Sequence, residues 1–162
     1  MAAPAELEDV MPSNASRLLQ FAWKHKALLT TAVATIGKFL ADHPNLSAWA
    51  KSRLDDIAKR MQKVPTKQGD AAQILGTVGV IRTEANSLAA ESDIPASVTA
   101  SWLKRANDIE HAVRLAEQQS QPLQRRTLAK LKSDTEAVLA EIIETVANGG
   151  NGGTRSSSAT PS

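Results

Sequence analysis

The sequence predicts an all-α, single-domain bundle of about five helices with disordered N- and C-terminal tails. Aromatic residues are only 3% of the chain, whereas Ala, Leu, Glu, Lys, Gln and Arg, which favour helix over sheet, are abundant. Apolar residues recur at helical spacing in five successive segments, separated by short stretches with proline, glycine or N-cap residues. No segment shows the strict alternation of a half-buried strand, so helices are expected throughout.

The chain divides into three parts. Residues 1–12 form an acidic leader and residues 148–162 a Gly/Ser-rich tail. Both are rich in small and polar residues that bury little apolar surface, so we expect both to be disordered. Residues 13–147 remain as the helical bundle domain, which is long enough to bury one core.

The first two helices are expected before residue 66. The first runs from about Ser13 to Ala41, and its middle is apolar or neutral on nearly every side, so we expect it at the centre of the bundle. The second starts with Asn45, which can serve as its N-cap, and ends before Pro65. Its inward face is expected to consist of Leu46, Trp49, Leu54, Ile57, Met61 and Val64.

The third helix is expected over residues 70–91. Gly76 and Gly79 lie in its interior, and because each weakens a helix by up to about 1 kcal/mol, we expect this helix to bend or split. Its inward residues are expected to be Ile74, Leu75, Val78, Ile81, Ala85 and Leu88.

Residues 70–88, DAAQILGTVGVIRTEANSL, resemble a helix-turn-helix pattern, in which an A-A-x-x-L-G segment ends the first helix. The resemblance implies a turn at Gly76, a recognition helix over about 80–90, and Arg82 and Asn86 as the residues that reach base edges. The alternative is that the glycines allow close packing of one helix against its neighbours.

Two further helices complete the bundle. The fourth opens at Asp93 with Pro95 in its first turn, and the fifth follows Pro122 and ends at Asn148-Gly149. Their expected inward residues are Val98, Trp102, Ala106, Ile109, Val113 and Ala116 in the fourth helix, and Leu128, Leu131, Val138, Leu139, Ile142 and Val146 in the fifth.

Charge is unevenly distributed along the chain. Residues 13–67 hold ten Lys or Arg against three acids, whereas residues 68–147 hold eight against eleven. The second helix carries a basic ridge, which consists of Arg53, Lys59, Arg60, Lys63 and Lys67. The ridge is interpreted as a surface for phosphate backbone, acidic lipid headgroups or an acidic protein segment. The alternatives are a solvated helix flank and a contact with the acidic residues of the leader, Glu6, Glu8 and Asp9.

The fifth helix has basic residues in its first half and acidic residues in its second, which opposes the helix dipole. The two sets are Arg125, Arg126, Lys130 and Lys132, followed by Asp134, Glu136, Glu141 and Glu144. Lys130 and Asp134 are expected to pair at i,i+4. The remaining charges suggest a partner, such as an antiparallel second copy, with neighbouring helices as the alternative source of complementary charge.

No catalytic constellation is found in the sequence. It has no Cys and none of the usual nucleophile, phosphate-binding or zinc motifs, so we expect no enzyme activity, no cofactor and no metal. His25 is expected in the core or at its edge, His43 as a helix cap, and His111 on the surface. Asp108 and His111 have the spacing of a metal pair, but they form a single pair that points outward.

The expected address is cytoplasmic. The first thirteen residues are acidic, unlike a signal peptide, and the longest uncharged runs are eleven residues, too short to span a bilayer. Trp23, which is followed by Lys24 and Lys26, is typical of a membrane interface, although burial against a second neighbouring helix is the alternative.

Three function hypotheses follow. The first is a non-enzymatic helical interaction module that acts through protein–protein contacts, with a homo-oligomer as one form. The second is nucleic-acid binding, through the helix-turn-helix pattern or through Arg53, Arg60, Lys63, Lys67, Arg125 and Arg126. The third is peripheral binding to anionic membranes through Trp23, Lys24 and Lys26.

Overall fold

The computed structural model describes residues 28–159, with side chains described for Leu29 and residues 31–148. This part of the chain consists of helices and short joints, which confirms the all-α class. The helices are α1 (Leu28–Asp42), α2 (Ala48–Gln62), α3 (Asp70–Glu91), α4 (Ala96–Ala116) and α5 (Gln121–Ala159). The expected acidic leader, the start of the first helix, His25 and the Trp23 segment lie outside the described residues.

Two helices, α3 and α5, form the middle of the described bundle. Each contacts all four other helices, whereas α1 and α2 lie to one side and do not contact α4. Helices α2 and α3 are antiparallel, because Arg60 pairs with Glu84 and Arg53 with Glu91. Helices α4 and α5 are also antiparallel, because Arg105 pairs with Glu141 whereas Gln119, just after α4, bonds to Thr127. The expectation that the first helix is central is wrong for its described part. Ala34 and Gly37 are exposed, and its lack of charge reflects small residues rather than burial.

One continuous core holds the helices together, and Trp102 is the largest side chain buried in it. The predicted inward faces of α2 to α5 are confirmed with three exceptions. Trp49, Leu75 and Val98 pack against the core but are only partly buried. The strictly periodic positions of α5, such as Leu139 and Ile142, are fully enclosed. Apolar periodicity therefore identified the core-facing side of each of these helices.

The joint between α1 and α2 is held by two side chains. Ser47, and not Asn45, is the N-cap of α2, and its hydroxyl accepts a bond from the Ala50 N–H at 3.1 Å. At the end of α1 the predicted capping role of His43 is confirmed. Its Nδ1 bonds to the Phe39 carbonyl at 2.9 Å, and the His43 and Phe39 rings lie 4.2 Å apart.

Helix α3 is continuous over the predicted span, so it does not split, and the turn implied by the helix-turn-helix resemblance is wrong. Gly76 permits close packing, because a Cβ there would lie 3.1 Å from Val64 Cγ1 and 3.2 Å from Pro65 Cδ. Gly79 has open space around it and no such role. Gly69, just before the helix, has a φ of +107°, a conformation that favours glycine.

Helix α5 extends past Asn148, the residue at which the sequence predicts its end. Glycine lacks a Cβ and weakens a helix by about 1 kcal/mol per residue, but it does not forbid helical dihedral angles. Ala147 is the last buried residue of this helix among those whose side chains are described. Among the residues that the structure describes, no helix combines the length and apolar character needed to cross a membrane.

Candidate interaction surface

The basic ridge of α2 is divided, because its two arginines turn toward α3. Glu84 of α3 is 1% exposed and accepts a bond from Arg60 Nε at 2.9 Å and one from Arg53 Nη2 at 3.4 Å. Arg53, which is 13% exposed, also donates to the Ser87 hydroxyl at 2.5 Å and lies 3.5 Å from Glu91. This α2–α3 ion cluster fixes the two helices in register.

Burial raises the pKa of the Glu84 carboxyl above its ordinary value. The positive charges of Arg53 and Arg60 and the hydrogen bond from Arg60 oppose this effect, while the carboxylate of Asp56 adds to it. Desolvation is therefore the larger influence, as is common for a carboxylate enclosed in a protein interior. The Nε of Arg53 is buried and has no hydrogen-bond partner among the described residues.

The three lysines of the ridge stay at the surface. Lys59 forms an i,i+4 pair with Asp55 at 3.0 Å, and this pair raises the pKa of the lysine. Lys63 and Lys67 are exposed and have no ion pair within the described part of the chain. The ridge is therefore neither one continuous basic surface nor wholly a solvated flank.

The first proposed base-reading residue, Arg82, is engaged with α4. It donates to the Asn107 amide oxygen at 2.6 and 3.1 Å and also to Glu110, which Arg114 contacts at 2.7 Å. These two arginines lower the pKa of Glu110 by hydrogen bonding. Asn86, the second proposed base-reading residue, is exposed. Arg82 thus contributes to the contact between α3 and α4.

Neighbouring helices provide oppositely charged partners for some of the charged residues of α5. Lys132 lies 3.7 Å from Asp70 at the start of α3, and Glu141 accepts a bond from Arg105 of α4 at 2.8 Å. The predicted pair within α5 is also confirmed, with Lys130 Nζ 3.2 Å from Asp134 Oδ2. Arg125 and Arg126 are exposed and have no ion pair among the residues described.

Four cations that have no ion pair among the described residues lie at the end of the bundle that we call the basic end. The chain just after α2 packs on the second turn of α3, because a Cβ at Gly76 would lie 3.1 Å from Val64 and 3.2 Å from Pro65. Asp70, the first residue of α3, lies 3.7 Å from Lys132, which is about three turns into α5. In the sequence these four cations belong to two separate features, the basic ridge and the fifth helix with its basic first half and acidic second half. The cations of the basic end are Lys63, Lys67, Arg125 and Arg126.

The basic end also carries the exposed apolar residues that sequence analysis missed. Leu115 in the last turn of α4 is 51% exposed, and Leu123 in the first turn of α5 is 49% exposed. They are the exposed large apolar side chains of the described part of the chain. Gln119 accepts a bond from Thr127 at 2.9 Å, which holds the joint between the two helices against α5.

The histidine and carboxylate pair considered for metal binding is at the surface. Asp108 and His111 are both exposed, as predicted, and Asp108 pairs with Lys104 at 3.0 Å. Glu84 was missed as a structural residue, although one signal was available. It lies three residues after Ile81 and four before Leu88, so a charged residue interrupts an apolar stripe and needs an internal partner.

Comparisons were made with the models of known protein families, with curated proteins and with solved structures. None of the three found a match to this chain.

Proposed function

We propose that the protein is a non-enzymatic helical interaction module whose basic end binds an acidic segment of a protein partner. One observation carries the proposal. Leu115 and Leu123, which are exposed by about half, lie at the same end of the bundle as Arg125 and Arg126, which have no ion pair within the described residues. Apolar anchors surrounded by unpaired arginines are typical of protein interfaces.

Each component of the basic end has a physical role in this proposal. Burial of a leucine side chain against a partner releases water from apolar surface, which contributes about 25 cal/mol per Å². The guanidinium groups of Arg125 and Arg126 can bind carboxylates through two parallel hydrogen bonds each. Lys63 and Lys67 raise the local concentration of an acidic segment and speed its association.

The same geometry favours a protein partner over nucleic acid. Arg53, Arg60 and Arg82 are bound to carboxylates or amides of the protein itself, so they are not available to phosphates without breaking those bonds. The exposed leucines gain little from a phosphate backbone. The membrane alternative depends on Trp23, outside the described residues. A cytoplasmic location is also part of this proposal and is supported by the absence of cysteine. The proposal that the protein is not an enzyme is supported by the absence of catalytic motifs.

Fluorescence anisotropy tests the proposal with three labelled probes: an amphipathic peptide of glutamate and leucine, its lysine counterpart, and a mixed-sequence DNA duplex. We expect the glutamate peptide to bind best. The double variant R125E/R126E is expected to weaken its binding by about tenfold or more, equivalent to about 1.4 kcal/mol. The Leu123→Ser variant is expected to weaken it by a smaller factor.

A matched control is the variant K38E/K51E, because it makes the same change in net charge at exposed positions of α1 and α2. It is expected to change peptide affinity by less than about twofold. Tight binding of the DNA duplex with a steep salt dependence, and none of the peptide, would replace the proposal with the nucleic-acid alternative. Multi-angle light scattering with each probe decides whether the protein self-associates.

A further inference from the structure

We propose that the partner bound at the basic end is a second copy of this chain, seated on the corner between α4 and α5. The inference rests on the proposed function, because it gives the acidic segment of the partner an identity. We call this surface the α4–α5 corner, and it consists of Leu115, Glu117, Leu123, Arg125 and Arg126. The corner holds apolar anchors, an acid and two bases, which are the groups that a self-complementary surface needs.

The two exposed leucines lie on either side of one joint. Leu115 is the last residue but one of α4, and Leu123 is the third residue of α5. The joint is residues 117–120, and the bond from Thr127 to Gln119 at 2.9 Å holds it against α5. Because α4 and α5 are antiparallel, both leucines lie within about one turn of the joint, at the same end of the helix pair.

Glu117 is an exposed acid in this joint, and it has no ion pair among the residues that the structure describes. Arg114, three residues earlier, donates to Glu110 at 2.7 Å. This hydrogen bond raises the pKa of Arg114, and the negative charge of Glu117 adds a smaller contribution. The arginine near Glu117 is therefore already occupied, and Glu117 is available to a base from another molecule.

Arg125 and Arg126 are the complementary bases of the corner. Both are exposed and form no ion pair within the described part of the chain, although Glu117 precedes Arg125 by only eight residues. Arg126 lies three residues after Leu123 and so shares its face of α5. Lys130, one turn farther along, already has a partner within α5. The free bases of this helix are thus those beside the exposed leucine.

A two-fold axis through the corner brings its opposite charges together. From the joint outward along α5, the corner carries first Glu117, then Leu123, and then the two arginines. In a second copy related by a two-fold axis at the leucines, this order is reversed. Glu117 of each copy then faces the arginines of the other, and the leucines of both copies meet at the centre of the interface.

The interface is small, because each copy contributes only two exposed leucines and three charged residues at the corner. Interfaces that bury less than about 1,200 Å² in total are typical of weak and transient complexes. We therefore expect a dissociation constant on the order of tens of micromolar. High salt is expected to weaken the dimer further, because the charges involved are exposed in each copy.

The test is sedimentation equilibrium of the full chain at low salt, from micromolar to hundreds of micromolar protein. Glu117→Arg makes the charges of the corner wholly basic, and R125E/R126E makes them wholly acidic. Each variant alone is expected to dimerise about tenfold more weakly or worse, because like charges then face each other. An equal mixture of the two variants restores opposite charges across the interface and is expected to form mixed dimers about as tightly as the unmodified protein.

A second mixture is the matched control. K38E/K51E has the same net charge as R125E/R126E but keeps the corner unchanged, since its substitutions lie at exposed positions of α1 and α2. Mixed with Glu117→Arg, it is expected to form few mixed dimers. Equal association in both mixtures would overturn the inference, because net charge alone would then explain it. Dimers that form equally well in every separate variant would also overturn it, since they would use another surface.

The two proposals fail in different ways. If the chain stays monomeric at every concentration and the glutamate peptide still binds it, the dimer inference is overturned and the proposed function stands with a different partner. If the chain is monomeric and binds no peptide, both are overturned. Excess peptide is expected to dissociate the dimer, because peptide and second copy use the same corner. A dimer that persists with saturating peptide would overturn the inference.

Discussion

Arg60 donates from its Nε to Oε2 of Glu84 at 2.9 Å, across the contact between α2 and α3. The Glu84 carboxylate is almost wholly buried, and Arg53 approaches its other oxygen at 3.4 Å. The two helices are thus joined by charged groups that water hardly reaches. The strength of this contact depends on the presence of both arginines and on the protonation of Glu84.

Arg53→Met is expected to lower the free energy of unfolding by about 2 to 3 kcal/mol, because it leaves a buried carboxylate with half of its compensating charge. Arg60 still pairs with Glu84, so the loss is smaller than for a single isolated pair. Urea unfolding followed by circular dichroism measures it. Lys104→Met, which breaks the exposed pair with Asp108, is the control and is expected to cost less than about 1 kcal/mol. Equal losses in the two variants would contradict this account of the α2–α3 ion cluster.

Glu84→Gln is expected to cost about 1 kcal/mol or less at neutral pH, because the neutral amide avoids the desolvation that raises the pKa of this carboxyl. The raised pKa means that the folded protein holds the proton more tightly than the unfolded chain does. The resulting stability is fully present below the ordinary glutamate value of 4.5 and is lost as pH rises through the raised pKa. As pH rises from 4.5 through the raised pKa of Glu84, the unmodified protein should therefore lose stability relative to the Glu84→Gln variant.

The Glu110→Gln variant is a control, because Glu110 is expected to change the free energy of unfolding with pH in the opposite direction. Hydrogen bonds from Arg114 and Arg82 lower the pKa of Glu110, so its contribution is present above the ordinary value and is lost as pH falls through the lowered one. Unfolding free energies of the three proteins, measured from acidic to neutral pH, separate the two carboxyls. Parallel pH profiles for the two variants would show that the assignment of either pKa shift is wrong.

Gly79→Ala is expected to raise the free energy of unfolding by about 0.5 to 1 kcal/mol, because alanine favours the helix and meets no neighbour there. Gly76→Ala gains the same helix propensity but places its Cβ 3.1 Å from Val64 and 3.2 Å from the Pro65 ring. We expect the Gly76 variant to be the less stable of the two by about 1 kcal/mol or more. Thermal or urea unfolding compares the two variants. Equal stabilisation would mean that Val64 and Pro65 can move away from the added Cβ at no cost in free energy.

Ser47→Ala is expected to cost about 1 kcal/mol, because it removes the side-chain oxygen that accepts the Ala50 N–H at the start of α2. Asn45→Ala is the matched control at an exposed position two residues earlier, and it is expected to change stability by less than about 0.5 kcal/mol. Unfolding midpoints of the two variants in urea provide the comparison. A larger loss of stability for Asn45→Ala than for Ser47→Ala would mean that Asn45 is the N-cap of α2, as the sequence predicts.

The helices were predictable because their signals are local. The span of α3 and the inward residues of α4 and α5 depend on which residues recur every three or four positions and on the prolines between them. The predictions that were wrong concern positions at which two interpretations fit the local sequence equally well. Asn45 and Ser47 are both good caps, and a glycine such as Gly76 can mark either a turn or a close contact between helices.

The candidate site was only partly predictable. Arg125 and Arg126 were identified as unpaired charge, and Lys63 and Lys67 as part of the ridge, but the sequence did not show that they share one end of the bundle. Leu115 and Leu123 were not recognised, since an apolar residue near a helix end is commonly buried. Their exposure depends on which sides of α4 and α5 the neighbouring helices leave uncovered.

The sequence by itself determined an all-α chain, the side of each of the helices α2 to α5 that faces the core, and an excess of basic charge in its first part. Only the tertiary structure decided which of those charges are free. The bonds that take Arg53 and Arg60 out of the ridge join residues 31 and 24 positions apart. Such pairs form only when two helices pack in one register, and no local pattern of residues encodes that register.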